Sequence, residues 1–277
     1  MNKLGLSLLR LFAERGAETG FATTPVGLIR TARFGRADAP PLLLLHGLGD
    51  SLAGWARVLP LLARSFRVHA IDLPGHGLSA APPDYRLATL LAGVRAVAEG
   101  LDRPLVVGHS LGGWLAVRLA LQLRESLAAP RALVLINPGG AKLTREEWAP
   151  FSALLDATDA GGARAYLARA FHRPPLALRL YPQPVQDAMA DPAARAILAA
   201  IAELDFLSAE ELRSLALPVR LVWGESDRLL PAGTLSFFRE NLPAAEFVPI
   251  PRAGHLPQFE TPRALAEAIA RPFPTRR

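Results

Sequence analysis

Apolar residues in this chain come in short continuous runs separated by longer stretches of helical period. The runs Val26–Phe34, Leu42–His46, Phe66–Asp72, Leu105–Gly108, Ala132–Asn137, Val219–Gly224 and Glu246–Ile250 predict strands. Segments such as LLLL, ALVLI and VRLVW do not alternate with polar residues, the pattern expected of parallel strands covered on both faces. Between them, Leu52–Ala63, Leu87–Leu101, Leu111–Leu123, Thr234–Asn241 and Pro262–Ala270 carry helical periodicity. Strands alternating with helices predict right-handed βαβ units and an open, mostly parallel α/β sheet. Gly139 to Ala216 breaks the alternation: it contains helical segments punctuated by prolines and no strand run. That stretch reads as a helical insertion, or lid, at the edge of the sheet.

Composition narrows the class. The 277 residues are 51% apolar and 20% charged, ordinary for a globular chain. There is no cysteine, which excludes a disulfide scaffold, a thiol nucleophile and thiolate-bound metal and leaves the compartment open. A cytoplasmic location is the working expectation. The net charge of +6 comes almost wholly from scattered arginines, since Lys3 and Lys142 are the only lysines, and no basic run marks a nucleic-acid partner. The insertion has eight basic and ten acidic residues and so is not built to attract anions. The longest stretch without an acidic or basic residue, Pro104 to Val117, has 14 residues, too few to span a bilayer. At the N-terminus Leu4, Leu8, Leu11 and Phe12 share one helical face, expected to pack on the domain or to make weak membrane-surface contact.

Ligands of open α/β sheets bind beyond the carboxyl ends of the strands. Four loops there carry reactive residues. Gly108-His109-Ser110-Leu111-Gly112 joins a strand to a helix, and glycines on both sides of Ser110 suit a sharp turn that lifts a nucleophilic hydroxyl clear of the sheet. His46-Gly47-Leu48-Gly49 follows LLLL. Its Leu48 N–H, with the Leu111 N–H after the serine, is the natural pair to meet an oxyanion, and His46 is read as a brace for the loop. Gly224-Glu225-Ser226-Asp227 offers a carboxylate to orient a histidine, with Glu225 as the competitor of Asp227. Gly254-His255-Leu256 supplies that histidine late in the chain, as the general base for Ser110. No histidine pair has the i, i+4 spacing of a zinc helix, and neither a G-x-G-x-x-G turn after the first strand nor a Walker loop is present, so no metal and no cofactor are expected.

The segments LLLLHGLGDSLAGW, VHAIDLPGHGLS, VVGHSLGGWLA, LVWGESDRLLP and AGHLPQFETP resemble the α/β-hydrolase superfamily in sequence and order, from about Pro25 to Ala270. Within it the chain is similar to small capped carboxylesterases and monoacylglycerol-lipase-like enzymes. The resemblance implies a mostly parallel, doubly wound sheet with a helical cap inserted after the sixth strand. The core would be residues 1–138 and 217–277 and the cap 139–216. It also implies Ser110 as nucleophile, His255 as base and Asp227 as its orienter. Dehalogenases and epoxide hydrolases of the superfamily use an elbow aspartate, which Ser110 argues against.

The activity expected is hydrolysis of carboxylic esters of short to medium acyl chains through an acyl-enzyme. C–C bond hydrolysis, lactone hydrolysis or cofactor-free perhydrolysis by the same triad is the alternative, and a non-catalytic binding protein on the same fold is the remaining one. Trp148, Phe151, Leu155, Phe171 and Phe206 of the insertion are the candidate substrate contacts. The partner expected is a small-molecule ester, bound by a monomer or dimer.

Overall fold

The computed structural model describes residues 15–274. The proposed N-terminal helical face of Leu4, Leu8, Leu11 and Phe12 therefore lies outside the described residues. One sheet of eight strands organises the rest: β1 (Glu18–Thr24), β2 (Gly27–Phe34), β3 (Pro41–Leu45), β4 (Arg67–Ile71), β5 (Leu105–His109), β6 (Ala132–Ile136), β7 (Val219–Gly224) and β8 (Glu246–Ile250). Their spatial order is β1-β2-β4-β3-β5-β6-β7-β8. β1 and β2 form an antiparallel hairpin, β2 also runs antiparallel to β4, and every later pairing is parallel.

Adjacent residues of the central strands feed opposite faces, which is why their apolar runs are continuous. Leu43, Leu45, Val106, Leu133, Leu135 and Leu221 pack with the helices α2 (Leu87–Ala98), α3 (Leu111–Gln122) and α10 (Gly233–Asn241). Leu42, Leu44, Val107, Val134, Ile136 and Val222 pack with Leu52, Trp55, α1 (Leu59–Leu62) and α12 (Pro262–Ala270). Each face thus has its own core, the doubly wound arrangement expected.

Two departures from the sequence reading stand out. β1 was not predicted, because ETGFATT is largely solvent-facing on an edge and carries no apolar run. Counting it makes β6 the sixth strand. Leu52–Ala63 is not one helix but a 3-10 turn at Leu52–Trp55 followed by the single turn α1, with Pro60 near the start of the latter.

Between β6 and β7 lie α4 (Arg145–Asp156), α5 (Ala160–Ala170), α6 (Leu176–Leu180), α7 (Gln183–Met189), α8 (Pro192–Ala200) and α9 (Ala209–Arg213). The only strand-like pairing in this insertion is an isolated parallel bridge, Ala141 with Leu207. It has a small core of its own, with Leu154, Ala163, Leu167, Phe171, Val185 and Met189 packed against Leu229. α11 (Pro257–Glu260) precedes α12 at the C-terminal end. Among the described residues no helix is long and apolar enough to cross a membrane.

Candidate active site

β5 is buried along its whole length and delivers Ser110 at the carboxyl edge of the sheet. Ser110 has φ 52° and ψ −114°, a region that side-chain-bearing residues rarely occupy. Such strain persists only where surroundings over-determine it. Here the Ser110 N–H donates to Ile136 O at 3.0 Å, and Ser110 O accepts from the N–H groups of Gly113, Trp114 and Gly139 at 3.0, 3.1 and 3.0 Å. The flanking glycines are required by close approach. A Cβ at Gly108 would lie 2.2 Å from Gly112 O, and one at Gly112 would lie 2.3 Å from Leu45 O.

Asp227 and His255 are brought together from separate strand ends. His255 Nδ1 and Asp227 Oδ2 are 2.8 Å apart, with both side chains almost wholly buried. The carboxylate also accepts from Asn137 Nδ2 at 2.6 Å and from the N–H groups of Leu229 and Leu230 at 2.9 and 3.3 Å. Burial pushes the Asp227 carboxyl up. The His255 ring and these donors outweigh it and hold the group below its ordinary value, so it is an anion at neutral pH. Glu225 is exposed, two residues too early to reach the ring.

Two polar residues missed in the sequence complete this frame. Asn137, in the left-handed region at φ 41°, donates to Asp227 and accepts the Gly224 N–H at 3.2 Å, tying the ends of β6 and β7 together. An asparagine straight after a buried strand was the available signal, since asparagine tolerates that backbone. His109, given no role in the Gly108–Gly112 turn by the sequence, makes a 2.7 Å bond from Nε2 to the carbonyl of His255. Burial, with the His255 ring adding to it, pushes the His109 pKa down to about 3, so it is neutral with its proton on Nε2. It couples the turn at Ser110 to the loop at His255. Its remaining nitrogen faces Gln258 Nε2 at 3.4 Å.

His46 is a brace. Its Nε2 accepts the Leu73 N–H at 2.9 Å and its Nδ1 donates to Gly47 O at 2.7 Å. Burial, reinforced by His76, holds its pKa well below the ordinary histidine value. The loop it supports passes close to the elbow, since a Cβ at Gly47 would lie 2.9 Å from His109 Nδ1. Leu48 lies in this loop, and Leu111 opens α3, where first-turn amides have no intrahelical acceptor.

A cavity of about 360 Å³ connects these groups, within the range of small-molecule sites. Gly47, Leu48, Ser110 and His255 line its floor. Of the aromatic and aliphatic candidates, Phe151, Leu155 and Phe171 line it. Trp148 and Phe206 do not: Phe206 stacks on Trp114 at 5.2 Å between ring centroids and meets Trp148 at 5.5 Å, sealing the insertion to α3. Helical spacing alone could not separate these two faces. Leu167, Val185, Met189, Leu256 and Phe259 also line the cavity and escaped the sequence reading. So did Asp50, whose carboxyl is raised to about 7, mainly by burial and further by Asp72, against the effect of the Ser51 N–H it accepts.

Comparison with known proteins gives the same picture at the level of the whole chain. The pimeloyl-[acyl-carrier protein] methyl ester esterase of Aeromonas hydrophila subsp. hydrophila is 31% identical over 265 residues, covering 87% of this chain and 97% of that protein. The crystal structure of a membrane phospholipase A, described as a bacterial virulence factor, superposes with a TM-score of 0.81 at 25% identity, covering 95% of this chain and 88% of that one. That of the carboxylesterase CesB from Bacillus subtilis gives 0.79 at 23% identity, covering 96% and 94%, and shows the shared fold. Residues 42–268 match the profile of the alpha/beta hydrolase family. With that match laid over this sheet order, the chain belongs to the alpha/beta hydrolase family and is an esterase-like hydrolase.

Proposed function

We propose that the chain hydrolyses carboxylic esters through an acyl-enzyme formed on Ser110. The observation that carries this reading is a strained Ser110 lining the same cavity as His255, whose Nδ1 is held on a buried, ionised Asp227. The Ser110 hydroxyl attacks the ester carbonyl while His255 Nε2 takes its proton. The Leu48 and Leu111 N–H groups hold the developing oxyanion. His255 then gives the proton to the departing alcohol. Water, deprotonated by the same nitrogen, attacks the acyl-enzyme and releases the acid and Ser110. Asp227 fixes the tautomer that leaves Nε2 free to accept.

The substrate proposed is a neutral ester of short to medium chain, roughly C4 to C10, with residues 139–216 acting as the cap and residues 1–138 and 217–277 as the core. The insertion supplies most of the apolar cavity wall, including Phe151, Leu155, Leu167 and Phe171. C–C hydrolysis of an acidic substrate is the second reading. It calls for a cation in the cavity, and among the described residues none of the lining is lysine or arginine.

Labelling with a fluorophosphonate and hydrolysis of a series of p-nitrophenyl esters test the reading together. The wild type should be labelled, and Ser110→Ala should lose labelling and about 10⁴ to 10⁶ in kcat while remaining folded. Retention of more than a few per cent of activity by Ser110→Ala would overturn it.

A further inference from the structure

The last turn of α5 ends against the two loops that carry Asp227 and His255. A helix leaves its final carbonyls without intrahelical partners. Here they are taken up by those loops. Ala168 O accepts from Arg228 Nη2 at 2.9 Å, Arg169 O from the Arg228 N–H at 3.1 Å, and Ala170 O from the His255 N–H at 2.7 Å. The chain then extends, and its next two free amides turn to Glu260. The His172 N–H donates to Glu260 Oε2 at 3.1 Å and the Arg173 N–H to Oε1 at 3.0 Å. The same Oε2 accepts the Gly254 N–H at 2.7 Å. His172 Nδ1 also lies 2.7 Å from Ser226 Oγ, beside Asp227. The fit is tight: a Cβ on Gly254 would stand 2.4 Å from Ala170 O.

One half-buried carboxylate thus gathers three backbone amides, two from the insertion and one from the residue before the base. We propose that Glu260 is a positioning residue for His255, and that residues 168–173 are a fixed wall of the catalytic frame rather than the hinge of a swinging lid. The inference rests on the reading of His255 as general base. Charge-assisted bonds to one carboxylate are stronger than neutral ones, and the three amides here use both of its oxygens. An amide in its place offers one acceptor oxygen and turns a donor toward at least one N–H. With that oxygen on Arg173 the Gly254 N–H is repelled and the loop bearing His255 loses its bond to residue 260; with it on His172 and Gly254 the Arg173 N–H is repelled and the insertion side of the clamp loosens. A displacement of about 1 Å at a reacting group costs on the order of 10²-fold in rate.

Glu260→Gln should therefore lower kcat by roughly 10- to 100-fold with KM within about threefold, and slow fluorophosphonate labelling by the same factor, at temperatures well below its Tm. Amide exchange should speed up together at His172, Arg173, Gly254 and His255. Ser226→Ala, which cuts only the His172 link, should show the same kcat pattern at roughly two- to fivefold, and reads out the frame if Glu260→Gln does not fold. Rates within twofold of wild type in the folded variants, a loss confined to KM, or faster exchange on one side alone would overturn the proposal. If the wild type itself neither hydrolyses esters nor takes the label, the ester-hydrolase reading fails, and coupled exchange still decides the clamp.

Discussion

Replacing Asp227 by asparagine should cost about 10⁴ in kcat, or roughly 5.5 kcal/mol of transition-state stabilisation, with little change in KM. The hydrogen bonds around the carboxylate show why neither orientation of an amide is innocent. Oδ1 accepts from the N–H groups of Leu229 and Leu230, while Oδ2 accepts from Asn137 Nδ2 and faces His255 Nδ1. With its oxygen kept on the two backbone amides, the new NH2 points at His255 and at the Asn137 NH2. The histidine must then carry its proton on Nε2, the nitrogen that accepts the Ser110 proton in the proposed reaction, where it cannot accept another. Asn137 cannot escape by flipping, because its own oxygen accepts the Gly224 N–H. The opposite orientation sets the NH2 against two backbone donors, at about 1–3 kcal/mol for each buried donor left unmatched. The first orientation wins, so the wrong tautomer dominates and one amide clash remains. Asn137→Asp in the same chain should remove that clash and recover much of the lost stability while leaving kcat low. Steady-state kinetics on a p-nitrophenyl ester, with thermal melts of the single and double variants, make the test. Retention of a tenth of wild-type kcat by Asp227→Asn, an equal penalty from Glu225→Gln, or recovery of activity in the double variant would refute the reasoning.

Within the apolar cavity kcat/KM should climb about fourfold per added methylene until the space is full, at about 0.8 kcal/mol each. Phe171→Ala should move the optimum to longer chains in the ester series, whereas Trp148→Ala should lower Tm and leave the optimum in place. Burial holds His46, His76 and His109 below their ordinary pKa. The unfolded chain therefore binds more protons, and stability present above about pH 6.5 should drain away as pH falls toward 4, by up to about 1.4 kcal/mol per pH unit for each histidine. Chemical denaturation across that range measures the slope. Asp50 has the opposite sign: with its folded pKa raised to about 7, the stability of its protonated form is lost as pH rises through that value. Asp50→Asn, which keeps the Ser51 bond, should raise Tm at pH 8 by roughly 2–4 °C, about 1 kcal/mol in a chain of this size, with the gain shrinking toward pH 4.

The sequence by itself determined the parallel sheet, the helical insertion and the four reactive loops. Each is written in local pattern: continuous apolar runs for strands with two covered faces, glycines flanking Ser110 where backbone approaches within contact distance, and proline-broken helical segments from Gly139 onward. The edge strand β1 escaped because its side chains face solvent and leave no apolar periodicity. Tertiary structure alone decided which neighbours meet. Asp227 rather than Glu225 reaches His255, because the loop after β7 turns one carboxylate inward and the other out. Asn137, His109 and Glu260 owe their places to partners 90, 146 and at most 88 residues away, a separation that no local pattern encodes. The same holds for the insertion's aromatic residues. Phe171 and Trp148 look alike in sequence, but Phe171 lines the cavity and Trp148 meets Phe206 at the seam with α3, a division set by which distant side chains each ring packs against.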